Sequence, residues 1–142
     1  MASRRKGRIL AFQALFSWEA SRCSVADLLE FTWLEKDKRS TLDGGTAEFS
    51  RLLIAGTIEN IETIDGLIKS HLKNWDFSRL NKIDLAVLRM STYALLYQQD
   101  VAPSIVIDEA IDIAKEYGTD DSFRFVNGVL DGIKKTIQEQ GK

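Results

Sequence analysis

Proline occurs once in this chain of 142 residues, at Pro103, and no segment keeps the strict apolar–polar alternation of a half-buried strand. With breakers so scarce, apolar residues recurring at three- and four-residue steps predict helices almost end to end. A first helix is expected over residues 5 to 20. Ser24, with Asp27 three residues on, resembles a capping box and opens a helix carrying Val25, Leu28, Leu29, Phe31 and Trp33. The charged, aperiodic run EKDKRSTLDGG, residues 35 to 45, reads as a loop, after which Thr46 opens a third helix. A bend between Asn60 and Thr63 leads into a helix with Ile64, Leu67, Ile68 and Leu72, and NWDFS reads as a turn. A long helix follows from about Leu80 to Gln98. QDVAPS interrupts it, a helix from Ser104 to Tyr117 closes on Gly118 at the C-cap, and TDDS caps a last helix from Ser122 to about Gln138. The expected fold class is all-α: about seven helices in one domain, residues 1–142. A seam at residues 73 to 79 is expected to divide two small packed sub-bundles, 1–73 and 79–142.

The net charge is −2, yet Arg4, Arg5, Lys6 and Arg8 fall within five positions. Without these four the count drops from 19 to 15 Lys/Arg against 21 Asp/Glu, a net −6. The positive charge is therefore local, which fits a patch aimed at one polyanion. It also stands at a helix start, where cations oppose the macrodipole by a few tenths of a kcal/mol each. A solvated, frayed terminus is the alternative reading. One cysteine, Cys23, allows neither an internal disulfide nor a cysteine zinc site, and fits a reducing compartment. No apolar run approaches the roughly 20 residues of a membrane span, and the N-terminal segment reads as structure rather than a cleavable signal. A cytoplasmic protein without membrane attachment is expected.

Three helices carry residues that do not fit their surroundings. On the first, Leu10, Ala14, Trp18, Leu15, Phe12, Phe16 and Ile9 sweep most of the wheel, so the helix should be buried on several sides. Phe16, at the margin of its polar wedge, is either core or a partly exposed ring. On the long helix Arg89 is flanked by Leu85, Tyr93 and Leu96. It must snorkel, pair with a carboxylate or meet a ligand. Asp84, on a different face, reads as solvated or partner-facing. On the last helix Phe125 lies outside the apolar stripe, beside Gly128 and Gly132. This is either a helix-packing groove or an aromatic platform for a base. Asp120 and Asp121 read first as cap and turn residues. His71 is the only histidine, and no grouping suggests a metal site, a phosphate-binding loop, acid–base chemistry or a nucleophile. A protein that is not an enzyme, and needs no cofactor, is expected.

The segments RRKGRILAFQALFSWE, LLIAGTIENIETIDGLI, DLAVLRMSTYALL, PSIVIDEAIDIAKEYG and DDSFRFVNGVLDGI, in this order over nearly the whole chain, resemble the NusB family of bacterial transcription antitermination factors. FVNGVLD after an Asp-Ser cap is the most specific of them. The resemblance implies a non-catalytic, all-helical fold of two small sub-bundles. It implies binding of the boxA element of nascent, single-stranded RNA together with a ribosomal small-subunit protein, NusE. That assembly would join the RNA polymerase antitermination complex during ribosomal RNA synthesis. By position, the family's basic motif falls on Arg4, Arg5 and Arg8, with Lys6 inside it. The first-helix aromatic is Phe16, where a tyrosine is common, so a phenolic hydrogen bond is lost while stacking is retained. Arg89, Asp121 and Phe125 align with the RNA surface, and Asp84 with the face turned to the ribosomal protein. Self-association, which some relatives show, is left open. Two alternatives stand beside this reading. One is a helical protein–protein adaptor with idle N-terminal charges; the other is the RNA-binding domain of an RNA-modifying enzyme. No cofactor-binding strand or glycine motif occurs up to Lys142, so a standalone factor is expected over the second.

Overall fold

A computed structural model describes residues 2–73 and 76–141; of the NWDFS turn, Asn74 and Trp75 lie outside the described residues. Eight α-helices are found among the described residues, in the order α1 (Arg4–Ser21), α2 (Val25–Leu29), α3 (Lys36–Ser40), α4 (Gly44–Glu59), α5 (Ile61–Ser70), α6 (Lys82–Tyr97), α7 (Pro103–Tyr117) and α8 (Ser122–Gln140). A single 3-10 turn, Phe77–Arg79, precedes α6.

Local chemistry sets most of these ends. The Ser3 hydroxyl accepts from the Lys6 N–H at 3.1 Å to start α1, and the Ser24 hydroxyl accepts from the Asp27 N–H at 3.1 Å to start α2. Asn81 Oδ1 accepts from the Ile83 N–H at 2.8 Å to start α6. Pro103 takes the first turn of α7, where its missing N–H costs nothing. Between α4 and α5, Asn60 Nδ2 donates back to the Gly56 carbonyl at 2.8 Å, at the expected bend.

Four local expectations are corrected. The second helix stops at Leu29 instead of running to Trp33, because Phe31 turns to φ 57° and buries its ring. Trp33 Nε1 then donates to the Leu28 carbonyl at 3.1 Å, which also accepts from the Phe31 N–H. The supposed loop at 35–45 contains α3, a helix that buries no side chain and so leaves no apolar period to read. α4 begins at Gly44 rather than Thr46, since the cap is Asp43, whose Oδ2 accepts from the Thr46 N–H at 3.0 Å. Finally, Asp121, at the N-cap of α8, makes no side-chain capping bond, while Gly118 stands at the expected C-cap of α7 with extended backbone (φ −93°, ψ −167°). The Ser122 hydroxyl accepts from the Thr119 N–H at 2.9 Å instead. Gly118 is needed for room: a Cβ there would lie 2.6 Å from Ser122 Cβ.

The helix enclosed from all sides is α6, which is buried without interruption from Asp84 to Leu95. It packs against α1, α4, α5, α7 and α8. α1 lies on α4 and α6, with Phe12 against Tyr117 of α7 at 5.2 Å between ring centroids. The two helix starts are tied where the Ser3 N–H donates to Thr46 Oγ1 at 2.8 Å. α6 meets α4 closely because Gly56 presents no side chain to Tyr93: a Cβ at Gly56 would overlap the tyrosine ring. Gly56→Ala should therefore destabilise the fold by about 1–3 kcal/mol through overpacking, read as a lower urea midpoint at unchanged m-value.

Candidate nucleic-acid interface

The four basic residues at the start of α1 do not form one patch, because a helix turns about 100° per residue. Arg4 and Arg8 turn toward α4, their guanidinium carbons 4.7 and 5.4 Å from the centre of the Phe49 ring. Arg4 is exposed, but Arg8 is only 8% exposed and lies against Leu53, Met90, Ala94 and Val106. Burial pushes its pKa down, with the charge of Glu109 opposing. A surface role for Arg8 is thus corrected: the side chain is a buried cation shared between helices. Arg5 leans toward α7, where it grips Glu109 with two hydrogen bonds (3.1 and 3.2 Å) and Asp112 with one (3.1 Å). These are exposed pairs, of the kind that contribute little to stability and can exchange for another anion. Lys6 points away from all of these, into a groove beside Gln13, Leu34 and Lys38.

Phe16 resolves its alternative by being 39% exposed. It lies eleven residues beyond Arg5, about 20° away around the helix and about 16 Å along it. Its ring lines a hollow of about 200 Å³ with Phe12, Gln13, Ile83 and Tyr117. The next residues along those two helices lead directly into a larger cleft of about 580 Å³. Asn81 and Asp84 of the α6 start, Thr119, and Asp121, Ser122, Arg124 and Phe125 of the α8 start line it, with Arg79 and Arg124 as its cations. Phe125 is half-buried in its wall, and Asp121 is exposed at its rim. Gln13 belongs both to the Phe16 hollow and to the Lys6 groove. The hollow and the groove therefore share a wall, and the cleft lies one residue along the chain from the hollow at Ile83–Asp84 and two at Tyr117–Thr119.

Two expected site residues stand elsewhere. Arg89 is 3% exposed. Its Nε and Nη2 donate to the two carboxylate oxygens of Asp65, both at 2.9 Å, and its Nη1 donates to Glu19 at 3.0 Å. Burial alone would lower its pKa, but Asp65 and Glu19 outweigh it and hold the value above the ordinary one. The ion-pair reading is the right one: the buried guanidinium is committed to Asp65 and Glu19. Asp84, expected on a solvated or partner-facing side, is 8% exposed, at the third residue of α6 beneath the cleft. Its pKa is raised by burial, a hydrogen bond from Ser122 opposing. Oδ1 has no partner among the described residues.

His71 is structural, with Nε2 2.8 Å from the Thr136 hydroxyl and Nδ1 2.9 Å from the Leu67 carbonyl oxygen. Its ring occupies the space that Gly132 leaves, whereas Gly128 faces open space. Among the described residues, no group of three or more His, Cys, Asp or Glu could hold a metal, and no helix is long and apolar enough to cross a membrane. Sequence reasoning missed Arg79, Arg124, Lys38 and Gln13. Arg124 adjoins Phe125 and could have been found by the rule that cations flank a stacking ring; the others meet the site only through tertiary packing.

A family model, that of the NusB family, matches residues 5–135. The transcription antitermination protein NusB of Treponema pallidum (strain Nichols) is 56% identical over 134 residues, covering 94% of this chain and 93% of that protein. The NusB of Geobacter sulfurreducens is 38% identical over 141 residues, covering 99% and 100%. Among solved structures, T. maritima NusB superposes with a TM-score of 0.83 at 42% identity, covering 95% of this chain and 93% of that one. A structure of the antitermination factors NusB and NusE in complex with double-stranded RNA gives 0.83 at 26% identity, covering 94% and 96%. The fold is that of a helical antitermination protein. The chain belongs to the NusB family.

Two outcomes follow from the buried charges. Arg89→Ala should cost about 3–5 kcal/mol, because Asp65 and Glu19 are left uncompensated; urea unfolding measures it. For Asp84, a carboxyl whose pKa is higher folded than unfolded binds more protons in the native state. Its penalty is absent below the ordinary carboxylate range, about pH 4, and grows as pH rises through the raised value. Asp84→Asn should thus match or exceed the parent's stability at pH 7, by on the order of 1 kcal/mol, since no charge then has to be desolvated. That advantage should shrink toward pH 4 in paired denaturation curves.

Proposed function

We propose that this chain is a non-catalytic, cytoplasmic RNA-binding adaptor: it binds the boxA element of nascent ribosomal RNA as a single strand, together with the ribosomal protein NusE. The resulting assembly joins RNA polymerase and suppresses termination. The observation that supports this reading is the Phe16 hollow, which shares Gln13 with the Lys6 groove and whose Ile83 precedes Asp84 of the Phe125 cleft. Single-stranded RNA needs phosphate neutralisation and surfaces for unstacked bases. Arg5, Lys6, Arg79 and Arg124 supply the first, and Phe16 and Phe125 the second. Arg4 contributes from the neighbouring edge, and exposed Asp121 offers an acceptor to a base edge. Arg8 and Arg89 support this surface from below without touching RNA.

NusE is assigned to the α6 and α8 starts, where Asp84 Oδ1 lacks a donor. The solved complex of NusB and NusE with double-stranded RNA supports a joint assembly; the two rings in hollows favour a single strand over a duplex at this site. The whole chain acts as one domain in this account, and a homodimer would compete for the NusE face. The protein–protein adaptor is disfavoured because it leaves the ring-lined hollows and Lys6 without a task.

Titration of labelled boxA-like, scrambled and duplex RNA, with and without NusE, tests the proposal. The single-stranded boxA oligonucleotide should bind best, and more tightly with NusE. With four phosphates neutralised, log K should fall against log salt with a slope of about −2.8. Phe125→Ala should weaken binding by roughly 1–3 kcal/mol if a base stacks there. Salt-independent binding, or equal affinity for Phe125→Ala with folding intact, would favour the adaptor.

A further inference from the structure

We propose that the groove between α1 and the segment Leu34 to Leu42 is an additional nucleotide subsite. It would hold a phosphate between Lys6 and Lys38 and lay the attached nucleoside on an aliphatic floor. The inference rests on the RNA reading above and extends it to a part of the chain that neither the basic cluster nor the two rings include.

The groove encloses about 300 Å³, at the low end of the range for ligand clefts. Its two charges are Lys6 and Lys38, with no carboxylate among the lining residues. Neither ammonium has an ion-pair partner among the described residues. Two like charges facing one concavity on a protein with a net charge of −2 are an arrangement that an anion relieves. Folding does not demand this arrangement. α3 buries no residue, and only the flanking Leu34 and Leu42 pack on the core. The helix is thus held at its two ends and stands off α1, leaving the groove open beneath it.

The floor explains why the anion should be a nucleotide rather than an inorganic ion. Ile9, Leu34 and Leu42 offer a flat apolar surface, on which a ribose or base loses water at little cost. Thr41 Oγ1 already gives its hydrogen to the Asp37 and Lys38 carbonyls, so toward the groove it acts as an acceptor for a base amino group. Gln13 forms the shared wall with the Phe16 hollow. A strand whose base rests on Phe16 and which runs back along α1 meets Lys6 about 15 Å further on, with Lys38 lining the same groove. That continuity favours one polyanion running through both depressions over a separate acidic peptide in this groove alone.

The test uses the full chain and fluorescence anisotropy with single-stranded RNAs: a boxA core, and the same core lengthened by three nucleotides at either its 5′ or its 3′ end. One of the two lengthened RNAs should bind at least about fivefold more tightly than the core, the low end for ordering one base. In Lys38→Glu that ratio should fall to about one. In Lys36→Glu, a charge change of equal size on the exposed side of α3, it should persist. Lys38→Ala, the milder variant, should make the salt slope for the longer RNA shallower by about 0.7. If the core binds but neither extension helps, or Lys38→Glu keeps the parent ratio, this subsite is refuted and the RNA reading survives. If the parent binds none of the RNAs, both fall together. If Lys38→Glu loses NusE and not the extension, the groove belongs to the protein partner and the inference is wrong.

Discussion

Arg89 is 3% exposed, and each nitrogen of its guanidinium donates to a carboxylate. Its two carboxylate partners come from different helices: Asp65 lies on α5 and Glu19 near the end of α1. Because α6 carries the arginine, one buried charge sets where three helices stand. An ion pair of this kind adds little raw stability, since burying the charges costs about as much as their attraction returns. What it does here is fix α1 in rotation. Trp18, one residue before Glu19, packs beneath both Arg89 and Arg22. At the other end of α1, Ser3 is held to Thr46. With both ends held, Arg5 and Phe16 look outward along α7, toward Glu109 and Tyr117.

That constraint explains the odd collection of cations at a helix start in an acidic protein. The four residues divide their work. Arg8 is drawn inward against Phe49, while Arg4 covers the same ring from outside. Arg5 is parked on Glu109 and Asp112, and Lys6 faces a groove of its own. The positive charge is thereby spread along a track rather than concentrated in a spot. A track suits a flexible strand, whose phosphates recur at intervals, better than a compact anion. The acid elsewhere on the surface discourages binding off the track.

Most of the fold could be read from the sequence because helix capping and apolar periodicity are local. Ser24, Asn60 and Pro103 each announce an end within a few residues of where it falls. The failures share a cause. α3 buries nothing and so has no period; Phe31 leaves the helical region because a tertiary cavity rewards its ring more than one extra turn would. The site was legible in part for the same reason. Phe16 and Phe125 betray themselves by sitting off their helices' apolar faces. By contrast, Asp84 and Arg8 look like surface charges on a wheel and are buried by neighbours far away in sequence. Lys38 lies in a stretch that reads as a featureless loop, and only the packing of Leu34 and Leu42 brings it opposite Lys6.

The central claim is that one side of the molecule, running from Lys6 past Phe16 to Phe125, holds an unpaired transcript. Nuclear magnetic resonance mapping of backbone amides during titration with a boxA-like RNA tests it most directly. The account predicts shifts that trace Lys6, Gln13, Phe16, Tyr117, Thr119 and Phe125, with Leu52, Tyr97 and Ile105, exposed apolar residues outside the three depressions, left unmoved. Shifts centred on those three residues, with the track silent, would contradict it.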